Sequence, residues 1–178
     1  FRRVLFRSKN LEKFLPFFNK TIQQYQINTP VRVAAFCAQL EIESGSLHYV
    51  EEIADGSDYE FRKDLGNLCA EALCAAHSKG TTTGKFYKGS GLIQITGFYN
   101  YKKCGEDLGL DLVNNPELLR EPEYACLSAG WYWSTHNCNS LADVGLFGKI
   151  TQVINGGFTA AKERMAAFVR NKKYFGVL

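Results

Sequence analysis

The chain has 178 residues and a net charge of +3 at pH 7, with 46% hydrophobic and 22% charged residues. This length suits a single domain with one sizeable core, and the composition is that of an ordinary globular protein. No apolar run approaches the roughly 20 residues of a membrane helix, which argues against membrane insertion. The small positive charge weakly favours an anionic partner but does not predict nucleic-acid binding.

The N-terminal segment "FRRVLFRS" has no initiating Met, and its short apolar stretch is broken by Arg7, unlike a signal peptide. We therefore treat residues 1–8 as a non-native or disordered leader. Residues 9–178 are expected to form one domain and to act as a monomer.

The chain contains six cysteines without CxxC pairs or zinc-ligand spacing, so the sequence suggests neither a metal nor an organic cofactor. An even cysteine count in a small domain favours disulfides and therefore secretion. The alternative is that some of these cysteines, such as Cys37 among alanines and phenylalanines, are buried thiols.

The first third of the chain has two helical patterns. Apolar residues recur at helical spacing over 10–26, with Pro16 marking a kink or a start. Thr29 and Pro30 are a natural N-cap and first helical residue, and the second helix should stop at Gly45.

Residues 45–90 are rich in Gly, Ser, Asp and Thr and lack a helical period, which predicts loop and short strand. A small antiparallel hairpin is expected around Phe86–Lys88 and Leu92–Ile95. Helical patterns follow at 97–108, 123–135, 146–154 and 159–172, with a further helix start at Asn115 and Pro116. The chain is therefore predicted to be mainly α with a loop-rich middle.

Two carboxylates stand out in "LEIESGSLHYVEEI". Phe36, Leu40 and Glu43 share one helix face, so Glu43 ends an apolar stripe at the helix C-terminus. Poor solvation and the helix dipole both disfavour an anion there, as a general acid requires. The alternative is that Glu43 turns out to solvent.

Glu52 follows in a polar loop with further acidic residues nearby, where a carboxylate should stay ionised. Two carboxylates in different environments are the pattern of an acid and a base, and glycoside hydrolysis uses such a pair. A solvated acidic loop or a calcium loop remains open, although the alternating ligand spacing of an EF-hand is missing.

Seven stretches occur in an order that resembles the catalytic domain of glycoside hydrolase family 19, which contains chitinases and phage-type endolysins. They are "FCAQLEIESGSLHYVEEI", "YEFRKDLGN", "FYKGSGLIQITGFYNY", "LGLDLVNNPELL", "AGWYWSTH", "ITQVINGG" and "AAKERMAAF". The resemblance covers about residues 30–174, and the compact length is similar to the bacterial and endolysin branch.

The resemblance implies a lysozyme-like, mainly α-helical, bilobal fold with a little β structure and a substrate cleft between the lobes. Glu43 matches the general acid, Glu52 the general base, and Thr96 a residue that holds the attacking water. The remaining matches are to substrate-contacting or network positions: Tyr87 (a cleft-lining tyrosine), Gln94, Asn100, Asn155 and Arg164. Asn155, before two glycines, is alternatively only a helix stop.

Two positions depart from the family pattern. Ile42 stands before the acid where the family usually has His, and the loop that usually reads "YKGRG" has Ser90 in place of Arg. Ser90 thus removes a guanidinium that could bridge the loop and the carboxylates.

The sequence favours an inverting endo-β-1,4-glycosidase acting on cell-wall polysaccharide that contains N-acetylglucosamine. The basic pI and the compact cleft favour peptidoglycan over chitin. Three alternatives are a chitinase, a lytic transglycosylase that uses one glutamate and no water, and an inactive glycan-binding relative.

Overall fold

The computed structural model describes residues 9–177, so the predicted leader lies outside the described residues. Within them the chain is mainly helical, as predicted, because most apolar residues recur at helical spacing. The helices are α1 (Leu11–Gln24), α2 (Pro30–Glu43), α3 (Ala70–Ser78), α4 (Thr83–Phe86), α5 (Phe98–Leu108), α6 (Pro122–Thr135), α7 (Cys138–Asp143), α8 (Phe147–Asn155) and α9 (Ala161–Tyr174). Three short 3₁₀ turns cover Ser57–Tyr59, Lys63–Leu65 and Pro116–Arg120.

The chain divides into two compact units. Among the described residues, the terminal unit contains 9–48 and 129–177. The central unit is Tyr49–Ser128. The single domain expected from length therefore has two parts, each with its own packing.

The predicted start of α2 is confirmed. Thr29 has an extended backbone, and its hydroxyl accepts a hydrogen bond from the Arg32 backbone N–H at 3.3 Å. Pro30 occupies the first helical position, where its missing N–H costs nothing. The helix ends at Glu43, with Ser44 as its C-cap, so the carboxylate stands in the last turn.

Helix α2 is the centre of the terminal unit and packs against α7, α8 and α9. Phe36 lies 5.6 Å from Phe18 and 5.2 Å from Trp133, measured between ring centroids. Trp131 and Trp133 are both buried. The Trp133 indole N–H donates to Asn139 Oδ1 at 2.8 Å, which satisfies the polar atom of a buried ring.

The middle of the chain is more helical than predicted. Residues 45–90 contain α3 and α4, and the expected hairpin is reduced to isolated antiparallel bridges, Glu51 with Ser90 and Ser90 with Ile95. Helix α3 is rich in alanine, the best helix former, and packs on α4, which overrides the surrounding loop signals. Helix α7, which the sequence pattern did not reveal, begins directly after α6.

The predicted disulfides are not formed, and all six cysteines are free thiols. Four of them are enclosed by apolar packing, and burial raises the pKa of Cys104, Cys126 and Cys138 to about 12. Burial in the core therefore accounts for four of the six cysteines, in agreement with the buried-thiol alternative. As residues, Cys37, Cys104, Cys126 and Cys138 are buried, Cys69 is partly buried and Cys74 is exposed.

Residues 9–177 include no helix with the length and apolar character needed to cross a membrane. In the same range no group of three or more His, Cys, Asp and Glu side chains is arranged to hold a metal ion.

Gly84 allows a close backbone approach in the central unit. A Cβ added there would lie 2.5 Å from Gly56 O and 2.6 Å from the Glu60 backbone N. Gly84→Ala should therefore cost about 1–3 kcal/mol of unfolding free energy, measured by urea denaturation. Gly148→Ala is the matched control, since nothing lies within 4 Å of its added Cβ. Equal stability of the two variants would contradict the close packing.

Candidate active site

Glu43 is the candidate acid in the terminal unit. It is the last residue of α2, and its side chain is only 14% exposed. Its Oε1 accepts a hydrogen bond from Arg164 Nη2 at 2.5 Å, which makes a charge-assisted pair. The sequence therefore placed Glu43 correctly at the helix end, and the structure adds a cation directly beside it.

Arg164, on α9, is 2% exposed and depends on several acceptors. Its Nε donates to Thr159 O at 3.1 Å and its Nη1 to Gln39 Oε1 at 2.6 Å. A buried guanidinium has five N–H donors and no acceptor, so each of these bonds offsets part of its desolvation. The side chain is thereby fixed in one orientation toward Glu43.

Gln39 is a member of this site that sequence reasoning missed. It is fully buried, and its Nε2 donates to Thr151 Oγ1 at 2.9 Å while its Oε1 accepts from Arg164. A polar residue one helical turn before Glu43, on an otherwise apolar face of α2, was the available signal.

Asn155 is the last residue of α8, and Gly156 follows with φ of +71°. The Asn155 Oδ1 accepts a hydrogen bond from the Thr159 backbone N–H at 3.2 Å. Asn155 therefore lies at the end of the helix, in agreement with the helix-stop alternative. Its side chain also fixes the turn that contains Thr159. A substrate contact by Asn155 stays a prediction.

Glu52 is the candidate base in the central unit. Its Oε1 accepts from the Tyr59 hydroxyl at 2.9 Å and its Oε2 from the Gly89 backbone N–H at 3.1 Å. Its own backbone N–H donates to Gly89 O at 2.8 Å. Burial raises the pKa of the Tyr59 hydroxyl to about 12. The hydrogen bond to Glu52 and the negative charge of Glu52 act in the same direction. Tyr59 therefore stays protonated near neutral pH and can donate to Glu52.

The turn after Ser90 brings together three predicted site residues. Gln94 has φ of +58°, and its Nε2 donates to Gly91 O at 2.9 Å. Thr96 Oγ1 donates to Gln94 O at 3.0 Å, and Asn100 Nδ2 donates to Thr96 O at 2.8 Å.

Gly89 connects this turn to the candidate base. A Cβ added at Gly89 would lie 2.8 Å from Gln94 Oε1 and 3.1 Å from Glu52 Oε2. Gln94 and Glu52 therefore both lie against Gly89. Any larger residue at position 89 would displace one of these two side chains. The water-holding role of Thr96 and the substrate contacts of Gln94 and Asn100 stay predictions.

Tyr87 does not line a surface of the central unit. Its side chain is fully buried, its hydroxyl donates to Val113 O at 2.7 Å, and its ring contacts Phe98 and Tyr101. The expected contact with a sugar is replaced by a core role, because the buried ring packs against two aromatic rings of α5. We leave Tyr87 out of the proposed site.

Comparison with known families identifies the chain. A family model described as "Chitinase class I" matches residues 13–145, a span that includes both candidate carboxylates. The chain belongs to glycoside hydrolase family 19.

Family-19 relatives support this assignment over much of the chain. An endochitinase of Arabidopsis thaliana is 40% identical over 126 residues, which are 70% of this chain and 39% of the relative. Chitinase 6 of Oryza sativa subsp. japonica is 31% identical over 157 residues, 82% of this chain and 52% of the relative. The chain thus spans about two fifths of the Arabidopsis protein and half of the rice protein.

Solved structures share the fold. A bacterial family 19 chitinase is 25% identical with a TM-score of 0.76, covering 98% of this chain and 92% of that one. Chitinase C from Streptomyces griseus has a TM-score of 0.72 at 22% identity, covering 97% and 73%. The family-19 lysozyme-like helical fold expected from the seven sequence stretches is therefore confirmed.

Arg164→Met should lower the unfolding free energy by about 3 kcal/mol, because it leaves the Glu43 carboxylate and Gln39 Oε1 without their buried partner. Arg170→Met is the control: Arg170 lies on α9 as Arg164 does and pairs with Glu41 of α2, but its side chain is 54% exposed. An exposed pair contributes about 0–1 kcal/mol. Chemical denaturation of both variants measures the difference, and equal losses would contradict the role of the buried guanidinium.

Tyr59→Phe should loosen Glu52 by removing one of its two carboxylate donors while keeping the ring. We expect a decrease in kcat of about 10-fold, because misorientation of a catalytic group costs rate more than binding. The measurement is steady-state hydrolysis of a soluble chitin oligosaccharide. Tyr174→Phe, at the exposed end of α9, is the control and should keep the parent rate. Unchanged kcat in Tyr59→Phe would refute the orienting role.

Proposed function

We propose that this chain is an endo-acting glycoside hydrolase that cleaves β-1,4 bonds of chitin with inversion of configuration. The supporting observation is the family-19 match over residues 13–145, which contains both Glu43 and Glu52 in dissimilar surroundings. One carboxylate has a buried guanidinium as its partner, and the other has a phenol and a backbone amide.

In this proposal Glu43 donates its proton to the glycosidic oxygen as the bond to the anomeric carbon breaks. Glu52 removes a proton from a water molecule, whose oxygen attacks the anomeric carbon from the opposite face. Thr96 holds that water. Glu43 ends as the carboxylate and Glu52 as the acid, and exchange of a proton with solvent restores both.

The substrate proposed is chitin and not peptidoglycan. The sequence favoured peptidoglycan on its basic pI, which is weak evidence because a charge of +3 is small. The relatives that match most of this chain are named chitinases and endochitinases, and they favour the chitin alternative. Gln94, Asn100 and Asn155 supply amide groups suited to the hydroxyl and N-acetyl groups of such a polymer.

Two further properties stay predictions. Secretion was predicted from expected disulfides, and this argument does not apply because the cysteines are free thiols. A monomeric state is also untested, and gel filtration of the purified chain measures it directly.

Glu43→Gln and Glu52→Gln should each lower kcat on chitin hexasaccharide by at least about 100-fold, because each removes a proton-transfer group while keeping the side-chain shape. Glu163→Gln, on the exposed side of α9, is the control and should keep the parent rate. Normal turnover in either of the first two variants would refute the assignment. Proton NMR of fresh products should show the α-anomer first, and β-anomer first would refute inversion.

Comparing the products released from chitin and from bacterial cell walls separates the competing activities. Release of chitin oligosaccharides without clearing of bacterial walls supports the proposal, and the reverse result supports a peptidoglycan hydrolase. Anhydro-sugar products would indicate a lytic transglycosylase. Saccharide binding without any product would indicate a glycan-binding relative.

A further inference from the structure

Lys88 makes an unusual number of contacts with the segment that carries Glu52. Its ammonium donates to Glu52 O at 3.1 Å and to Ala54 O at 3.2 Å, and it pairs with Glu51 Oε1 at 2.9 Å. A lysine ammonium has three N–H donors and no acceptor. Its three donors therefore go to three residues of one short segment, 51–54.

These bonds leave Glu52 held from two directions. Lys88 binds its backbone carbonyl, while the next residue, Gly89, accepts from its backbone N–H and donates to its carboxylate. The backbone N–H, the backbone carbonyl and one carboxylate oxygen of Glu52 are thus all hydrogen-bonded to Lys88 or Gly89. A base whose backbone is fixed in this way presents its carboxylate in one position.

Lys88 is itself held rigidly. Its carbonyl accepts from the Tyr101 hydroxyl at 2.6 Å, and Tyr101 is fully buried. A Cβ added at Gly56 would lie 2.7 Å from Lys88 Cβ, so the lysine stem lies against the backbone of the loop. Its side chain is only 16% exposed, which shields the three bonds from water. These contacts distinguish Lys88 from a solvated surface lysine.

The same region departs from the family sequence pattern at Ser90. Ser90 is buried, its hydroxyl has no hydrogen-bond partner within the described chain, and it cannot supply the cation of the usual arginine. The carboxylate of Glu51 receives two cations, Lys88 and Arg120, the latter at 3.1 Å. These cations therefore pair with Glu51, while Lys88 also binds the Glu52 backbone carbonyl.

We propose that Lys88 is a positioning residue for Glu52, acting through its bonds to the segment 51–54. This inference rests on the proposed function, in which Glu52 is the general base. Lys88 does not touch the substrate. It acts by fixing the backbone of residues 51–54, and therefore its loss should affect the chemical step and leave binding unchanged.

The test is Lys88→Met, which keeps the length of the stem and removes the three donors. We expect kcat on chitin hexasaccharide to fall by about 10- to 100-fold, because a small misplacement of a catalytic group has an effect of that size. KM should stay within about 2-fold, since the substrate contacts remain. Lys88→Arg, which keeps a multidentate cation, should restore most of the lost rate.

Lys85→Met is the matched control. Lys85 is three residues away and forms an exposed pair with Asp55 at 3.1 Å, outside the contacts of Glu52. It should keep the parent kcat and KM. Lys88→Gln, which retains a neutral amide with two N–H donors, provides a milder variant if Lys88→Met does not fold.

Three outcomes decide the proposal. A selective loss of kcat with rescue by Lys88→Arg supports it. Parent kcat in both Lys88→Met and Lys88→Gln overturns it, as does a loss shared equally between kcat, KM and thermal stability, which is a general structural effect. Glu52→Gln is run in parallel: if that variant is active, the proposed function fails, whereas an inactive Glu52→Gln beside a fully active Lys88→Met overturns only the role of Lys88.

Discussion

The burial of the Arg164 guanidinium is the constraint on which the terminal unit depends. An arginine that is 2% exposed loses its hydration, and only fixed acceptors offset that loss. Gln39, Glu43 and the Thr159 carbonyl provide them, from α2 and from the turn before α9. The packing of α9 on α2 and the orientation of Glu43 are therefore parts of one requirement.

Glu52 is held by a different kind of contact. Its carboxylate accepts from a phenol and a backbone amide, both neutral, while the nearby cations Lys88 and Arg120 pair with Glu51. The two adjacent glutamates thus differ in their partners. Glu51 forms ion pairs, whereas the Glu52 carboxylate is positioned by neutral donors. The two candidate carboxylates therefore have unlike partners, a buried guanidinium for Glu43 and two neutral donors for Glu52.

Local signals predicted those parts of the fold in which residues close in sequence decide the outcome. The Thr29 cap and Pro30 fixed the start of α2, and the apolar face that ends at Glu43 followed from helical spacing. The same reasoning missed α3 and gave a hairpin in place of isolated bridges, because packing on α4 outweighed the Gly- and Thr-rich flanks. Cysteine counting also failed, since burial and not oxidation explains four of the six.

The sequence by itself determined the family, the helical class and the two candidate carboxylates, because these follow from ordered motifs and from spacing along single elements. Only the tertiary structure decided their partners. Gln39 and Arg164 are 125 residues apart in the chain, and Lys88 and Glu52 are 36 apart. Such contacts depend on how helices and loops pack, and no periodicity within one element encodes them. For the same reason Tyr87, which resembles a cleft residue in sequence, is a core residue in the fold.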